Sequence, residues 1–248
     1  MRLLASLLLL VLTSCVSAPR ERLEGARILL FSHTSGYRHE SIAVAVPALA
    51  RLVEADGGTA VTSEDPAMFD PGRLDRFAAI VLVSTTTDPG RPGSEWLTGA
   101  RRDSLQAFVR RGGGIVAIHA ASDSHYHWPW YGALIGGRFE RHPPGTSRGR
   151  LEVVDARHPA TAPLPPTFEH VDEWYAIRGY RPDSRLLLAL ESSSIGEDGA
   201  AWPISWAREQ DGGRIFYTAL GHTNETYAQP FFLDHVRGGL RWVLGRRS

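Results

Sequence analysis

The stretch Gly112-Gly-Gly-Ile-Val-Ala-Ile-His-Ala-Ala-Ser-Asp123 constrains this chain most. In it a buried apolar strand stops on a histidine, His119, with an acid four residues later. The glycines at 112–114 end a preceding helix, and Ile115 to Ile118 form an uninterrupted apolar run of the kind covered on both faces in a parallel sheet. In open sheets of that type, ligands gather at the carboxyl ends of the strands. His119 therefore stands where chemistry is done. A thiol nucleophile at this position is excluded by count, because the only cysteine is Cys15, far upstream.

The rest of the chain alternates strand and helix patterns, as βα units do. Strands are expected at Arg27–Ser32, Thr59–Thr62 and Ala78–Ser84, and a helix at Glu40–Ala55 with Ile42, Val46, Leu49 and Val53 at helical spacing. Arg101–Arg111 suits a second helix. Arg185–Leu190, Ile204–Ala207 and Arg214–Ala219 return to strand character. Pro230–Leu244 closes the domain as a helix with Phe232, Val236, Leu240 and Val243 on one face and Pro230 at its start. Trp128–Pro166, rich in proline, glycine and tryptophan, breaks the pattern. It reads as an insertion over the strand ends, with a short strand at Arg150–Val154, placed to close a pocket or to make a homodimer contact. The expected fold is one α/β domain with a largely parallel central sheet, helices on both faces and an inserted loop and strand segment.

The amino terminus has a separate logic. Met1-Arg-Leu-Leu-Ala-Ser-Leu-Leu-Leu-Leu-Val-Leu12 is a positive start followed by an apolar run too short to span a bilayer comfortably, and so reads as a secretory signal. Leu12-Thr-Ser-Cys15 has the form of a lipobox. Residues 1–14 are thus expected to be a lipoprotein signal peptide, Cys15 the lipidated residue, residues 15–25 a tether and residues 26–248 the folded domain. The protein is expected to be secreted and anchored to the membrane by lipid, at the outer membrane or periplasmic face in a Gram-negative host and otherwise at the cell surface. Lys plus Arg and Asp plus Glu both number 27, a formal net charge of +0, so no basic field for nucleic acid exists. Small ligands of low charge fit this balance better.

Histidines collect near predicted strand ends: His33 and His39 after the first, His119 after the central one and His222 after the last. Gly221 and Ala120-Ala121 leave room for a ligand beside two of them. Asp123, Asp172 and Glu173 supply carboxylates, and the neighbouring Trp174-Tyr175 predicts a Glu173 pKa raised toward that of a general acid. Tyr37, Arg38 and His39 precede the first helix, where a guanidinium and helix N–H groups hold anions or sugar hydroxyls. His142 is placed to reach the cleft from the inserted segment. Trp128, Trp130, Trp174 and Trp206 offer flat faces for sugar C–H surfaces, while His125 and His127 read as surface residues with a spacing that also suits a metal.

Six stretches carry a resemblance. His33-Thr-Ser-Gly-Tyr-Arg-His-Glu-Ser-Ile42, Gly113-Gly-Ile-Val-Ala-Ile-His-Ala-Ala-Ser-Asp123, Trp128-Pro-Trp-Tyr-Gly132, Asp172-Glu-Trp-Tyr175, Pro203-Ile-Ser-Trp206 and Tyr217-Thr-Ala-Leu-Gly-His-Thr223 resemble the ThuA-like family, named for trehalose utilisation. The resemblance implies a flavodoxin-like, class I glutamine-amidotransferase-like fold with histidine in place of the thiol elbow. It also implies a role in carbohydrate metabolism, often on 3-keto sugars. His33 departs from the Lys, Thr or Ser common there. Glutamine amidotransfer is disfavoured, since no cysteine nucleophile is available.

Two chemistries follow for a carbohydrate substrate. In one, His119 takes a proton, Glu173 or His222 returns one with Asp123 nearby, and Arg38 steadies an oxyanion during hydrolysis, elimination or isomerisation. In the other, His119, His222 and Glu173 bind a divalent metal such as zinc. Under these readings Tyr37, Arg38, His39, Trp128, His142 and Trp174 would contact the substrate; a third reading, from a different class, is a carbohydrate-binding lipoprotein without turnover.

Overall fold

Apolar runs too short for helices and bounded by glycine or polar residues become the central strands here. The computed structural model describes residues 23–245, so the signal segment, Cys15 and most of the tether lie outside the described residues. In chain order the elements are β1 (Arg27–Phe31), α1 (Ile42–Ala55), β2 (Thr59–Ser63), β3 (Ala79–Val83), α2 (Ala100–Arg110), β4 (Gly114–Ile118), α3 (Pro129–Ile135), β5 (Arg138–Arg141), β6 (Ser147–Val153), β7 (Thr167–Asp172), β8 (Ala176–Arg178), β9 (Arg185–Glu191), β10 (Ala201–Gln210), β11 (Gly213–Thr218) and α4 (Pro230–Leu244).

Nine strands form one sheet in the order β2-β1-β3-β4-β11-β10-β9-β6-β7. The first five are parallel, in the flavodoxin-type order that sets ligands at the carboxyl edge. β3 and β4 are buried at every position, as uninterrupted Val/Ile/Leu runs require when helices cover both faces. Alternate residues of β11 point to opposite faces. Phe216 meets His235 and Gly239 of α4, whereas Tyr217 lies against Trp206, whose indole donates to Ile135 at the end of α3.

Beyond β11 the sheet turns antiparallel. Asp211-Gly212 joins β10 to β11 with both residues at positive φ, +50° and +100°, the two-residue turn that matches the twist of paired strands. The inserted segment does not act as a single cover. Its β6 enters the main sheet between β9 and β7, while β5 pairs with β8 in a separate ribbon. Periodicity does not reveal β7, because the two residues it buries on its inward face, His170 and Asp172, are polar and only Phe168 beside them is apolar. Those two residues tie the far half of the sheet to the site.

Candidate active site

His119 leaves β4 in a strained turn. Its φ is +50°, a conformation that costs a non-glycine residue of order 1–3 kcal/mol and persists only where surrounding contacts enforce it. Here the Tyr217 hydroxyl donates to the His119 carbonyl at 3.1 Å, and the Ser122 hydroxyl meets Tyr217 Oη at 2.9 Å. The turn aims a fully buried imidazole across the strand ends. Its Nδ1 lies 2.7 Å from the Ala219 carbonyl and donates to it, which turns Nε2 toward the cleft. Tyr175 stacks on the ring at 4.2 Å.

Asp172, fully buried at the end of β7, assembles the opposite wall. Its carboxylate accepts the backbone N–H groups of Gly221 at 2.8 Å, His222 at 3.0 Å and Glu173 at 3.0 Å. Gly221 is required twice over: its φ is +119°, and a Cβ there would stand 2.7 Å from the Tyr227 hydroxyl. Ser41, just ahead of α1, and Tyr227 both donate to the Gly221 carbonyl at 3.1 Å. The loops after β1, β7 and β11 are thereby fastened to one another.

Between these walls lies a histidine–carboxylate centre. Glu173 Oε2 is 3.0 Å from His222 Nδ1 and 3.5 Å from His119 Nε2, Glu173 Oε1 is 3.2 Å from His142 Nδ1, and the two imidazoles approach to 3.3 Å. His39 completes the cluster, its ring 4.8 Å from that of His119 and 5.2 Å from that of His222, with its Nε2 3.4 Å from the Tyr175 hydroxyl. The potential ligand atoms of His39, His119, Glu173 and His222 all lie within 4.8 Å of one another.

Electrostatics set the charge states and correct one expectation. Burial alone would raise Glu173, but hydrogen bonds from His119 and His222, together with their charge, outweigh it and hold the carboxyl well below the usual carboxylate range. Glu173 is an anionic anchor, not a general acid of raised pKa. The same hydrogen bond raises His222 against the opposing effect of burial. His39, desolvated and facing His119 and His222, is pushed down to about 3 and stays neutral. The raised acid is Asp123: desolvation lifts it to about 6 although the Tyr126 hydroxyl donates to it, and the charges of His119 and Glu173 reach it from the centre.

Other expected contacts resolve differently. Tyr37 flanks the mouth, 66% exposed, with its ring edge-on to His39 at 4.9 Å. Arg38 forms a two-pronged pair with Glu64 at 2.7 and 3.1 Å and does not reach the centre. The first N–H groups of α1 are bonded to the carbonyls of His39, Glu40 and Ser41, so they offer no anion site. Trp128 and Trp174 are 7% and 2% exposed and provide no free face for a sugar. Trp128 is sandwiched by Trp130 and the Arg102 guanidinium. Trp174 fills the space left by Gly149, where a Cβ would come within 2.6 Å of its ring. His33 turns to the Glu64 carbonyl, away from the other three histidines. His125, expected at the surface, is fully buried between Trp96 and Tyr131, while His127 stays exposed, so the two do not converge on a metal.

Nothing in the local sequence isolates Asp172 as the clamp or Tyr175 as the stacking partner. The only signal was their position in Asp172-Glu-Trp-Tyr175, flanking Glu173.

A sheet with a five-stranded parallel half, a strained histidine turn at the end of its central β4 and an antiparallel extension defines a flavodoxin-type α/β domain. The chain belongs to the ThuA family, described as trehalose utilisation, whose profile matches residues 27–243. Among solved structures it is similar to a ThuA-like protein of Bacteroides uniformis, with a TM-score of 0.73, 22% identity and coverage of 93% of this chain and 95% of that one. A ThuA-like protein of Parabacteroides merdae gives a TM-score of 0.73 and 20% identity over 89% of this chain and 90% of the other. A Thermoplasma acidophilum protein named for GMP synthase shares the fold at a TM-score of 0.52 and 12% identity, over 88% and 94% of the two chains. No curated protein matches.

Proposed function

We propose that this ThuA-family protein acts on a sugar or keto-sugar derivative at the His119–Glu173–His222 centre, while tethered to a membrane through a lipid on Cys15. The observation that carries this reading is the shared Glu173 carboxylate. It is buried, anionic, and set between His222, His142 and His119 at the carboxyl edge of the sheet.

Hydrolysis, elimination and isomerisation of a sugar each need one proton removed and one delivered close to a polarised oxygen. Asp123, with a pKa of about 6, is suited to carry that proton near neutral pH. His119 presents Nε2 from a fully buried ring, and Glu173 supplies the charge that holds a positive partner in place. Exposed Tyr37 is the aromatic face at the mouth that a pyranose can lie against. The family's association with trehalose utilisation makes trehalose and its keto derivatives the first compounds to test.

The test is product formation and binding measured side by side by NMR for the wild type, Asp123→Asn and His119→Ala. The reading predicts turnover of a keto-disaccharide that drops by about 10²-fold or more in both variants, with binding largely retained. Binding without turnover in the wild type would make the protein a carbohydrate binder and sink the catalytic reading. For the anchor, Cys15→Ser should move the protein from the membrane to the soluble fraction; unchanged partition would refute it.

A further inference from the structure

We infer that His39, His119, His222 and Glu173 form a binding site for one divalent cation of the zinc type. The inference rests on the reading that this cluster is the reactive centre, and it adds His39 and an ion to it. Donors about 2.0–2.1 Å from a tetrahedral ion stand about 3.3 Å apart. The separations among His119 Nε2, His222 Nδ1 and Glu173 Oε2 are 3.0, 3.3 and 3.5 Å. With His39 included, the spread reaches no more than 4.8 Å, so closure on an ion needs a side-chain shift of about an ångström.

The surroundings are those of a ligand set. His119 donates Nδ1–H to a main-chain carbonyl and presents Nε2 inward, the second-shell arrangement that fixes metal-binding imidazoles. Glu173 has one oxygen held by His142 and the other facing His119 and His222, so it can bind through a single oxygen. Within this cluster, His39 is the residue that packing and hydrogen bonding leave unexplained. Its Nδ1 is buried without a partner, and its Nε2 meets only the Tyr175 hydroxyl at 3.4 Å. Buried polar atoms are nearly always satisfied, and an ion satisfies a neutral imidazole in such a place. Three imidazoles and one carboxylate also select the cation, since they suit zinc, cobalt or iron(II) and leave magnesium and calcium short of oxygen donors. The His222 side chain is 25% exposed and that of His142 37%, so the centre opens to solvent on one side, where a substrate oxygen can reach the ion. Such an ion polarises a carbonyl or hydroxyl group.

The experiment uses the full-length chain with Zn²⁺ or Co²⁺ alone as the probe, and three readouts: bound metal by elemental analysis, the visible absorption of the cobalt form, and the Tm shift on adding zinc. We expect one equivalent per chain and a cobalt band, both abolished in His119→Ala and in Glu173→Gln. Affinity should fall at least tenfold in His39→Ala and by about 10–100-fold in His142→Ala, which removes an outer partner. Arg38→Ala should leave binding unchanged. Far-UV circular dichroism of each variant separates loss of a ligand from loss of the fold. If the folded wild type binds less than a tenth of an equivalent at saturating zinc and shows no Tm shift, the inference is overturned. Undiminished binding in His119→Ala would overturn it equally. Sugar turnover without bound metal would refute this inference alone, whereas bound metal without any sugar activity would refute the functional reading alone.

Discussion

Replacing Asp172 with asparagine tests the claim that one buried carboxylate assembles the site. The substitution conserves shape. The carboxylate accepts three backbone N–H groups, from Glu173 and His222 on Oδ1 and from Gly221 on Oδ2. An amide has one oxygen, so whichever way it turns, an NH₂ group faces a backbone N–H and at least one donor is left unmet inside the fold. A hydrogen bond to a charged group contributes about 1.5–3 kcal/mol, and an unsatisfied buried N–H costs about 1–3 kcal/mol. These contributions overlap, giving an expected loss near 3 kcal/mol, or roughly 6–12 °C in Tm for a chain of this size. Urea unfolding followed by tryptophan fluorescence measures it directly. The same change frees the Gly221-His222 backbone, so activity should fall by more than the unfolded fraction explains. A loss under about 1 kcal/mol with an unchanged m-value would refute the clamp and with it the account of how β7 positions Glu173.

Three further outcomes are expected. In metal-free protein the Glu173–His222 pair should stabilise most between about pH 4.5 and 6.5. The raised His222 contributes fully below its unfolded 6.5 and fades as pH rises through its folded value, while the depressed Glu173 contributes above 4.5 and fades as pH falls through its own. Unfolding free energy against pH should show both limbs, and Glu173→Gln should flatten both. Glu95, 6% exposed, lies 2.5 Å from Arg102 and accepts the His127 N–H at 2.7 Å; burial opposes ionisation, yet these partners and His125 hold it at about 2. Glu95→Gln should therefore cost about 3 kcal/mol in denaturant unfolding, against less than about 1 kcal/mol for Glu64→Gln at the half-exposed Arg38 pair. A Cβ on Gly238 of α4 would sit 2.2 Å from the Pro159 carbonyl oxygen, so Gly238→Ala should lower stability by about 3 kcal/mol by calorimetry.

Much of this protein is written in its local sequence. The runs Ala79–Val83 and Gly114–Ile118 are legible as buried parallel strands because they are apolar at every position, and α4 because its apolar residues recur at helical spacing. His119, His222 and Glu173 are legible as well, two of them because apolar strands end just before them and one from its motif. The antiparallel half is harder to read. β7 turns His170 and Asp172 inward with only Phe168 as an apolar companion, so its alternation carries little hydrophobic signal.

What only the tertiary structure decides is charge, company and direction. Glu173 looks like an acid that aromatic neighbours would protonate. In the fold it faces His119 and His222, partners far away in the chain, and their hydrogen bonds and charge outweigh desolvation. Trp128, Trp174 and Trp206, which look like sugar platforms, are buried in packing, where their apolar area already leaves water on folding. His39 joins the centre against His119 while His33 turns to the Glu64 carbonyl, although both follow β1. Residue types and strand ends set which groups are available. Only the contacts between β1, β4, β7 and β11 set which groups meet, since each of those pairings spans dozens of residues of chain.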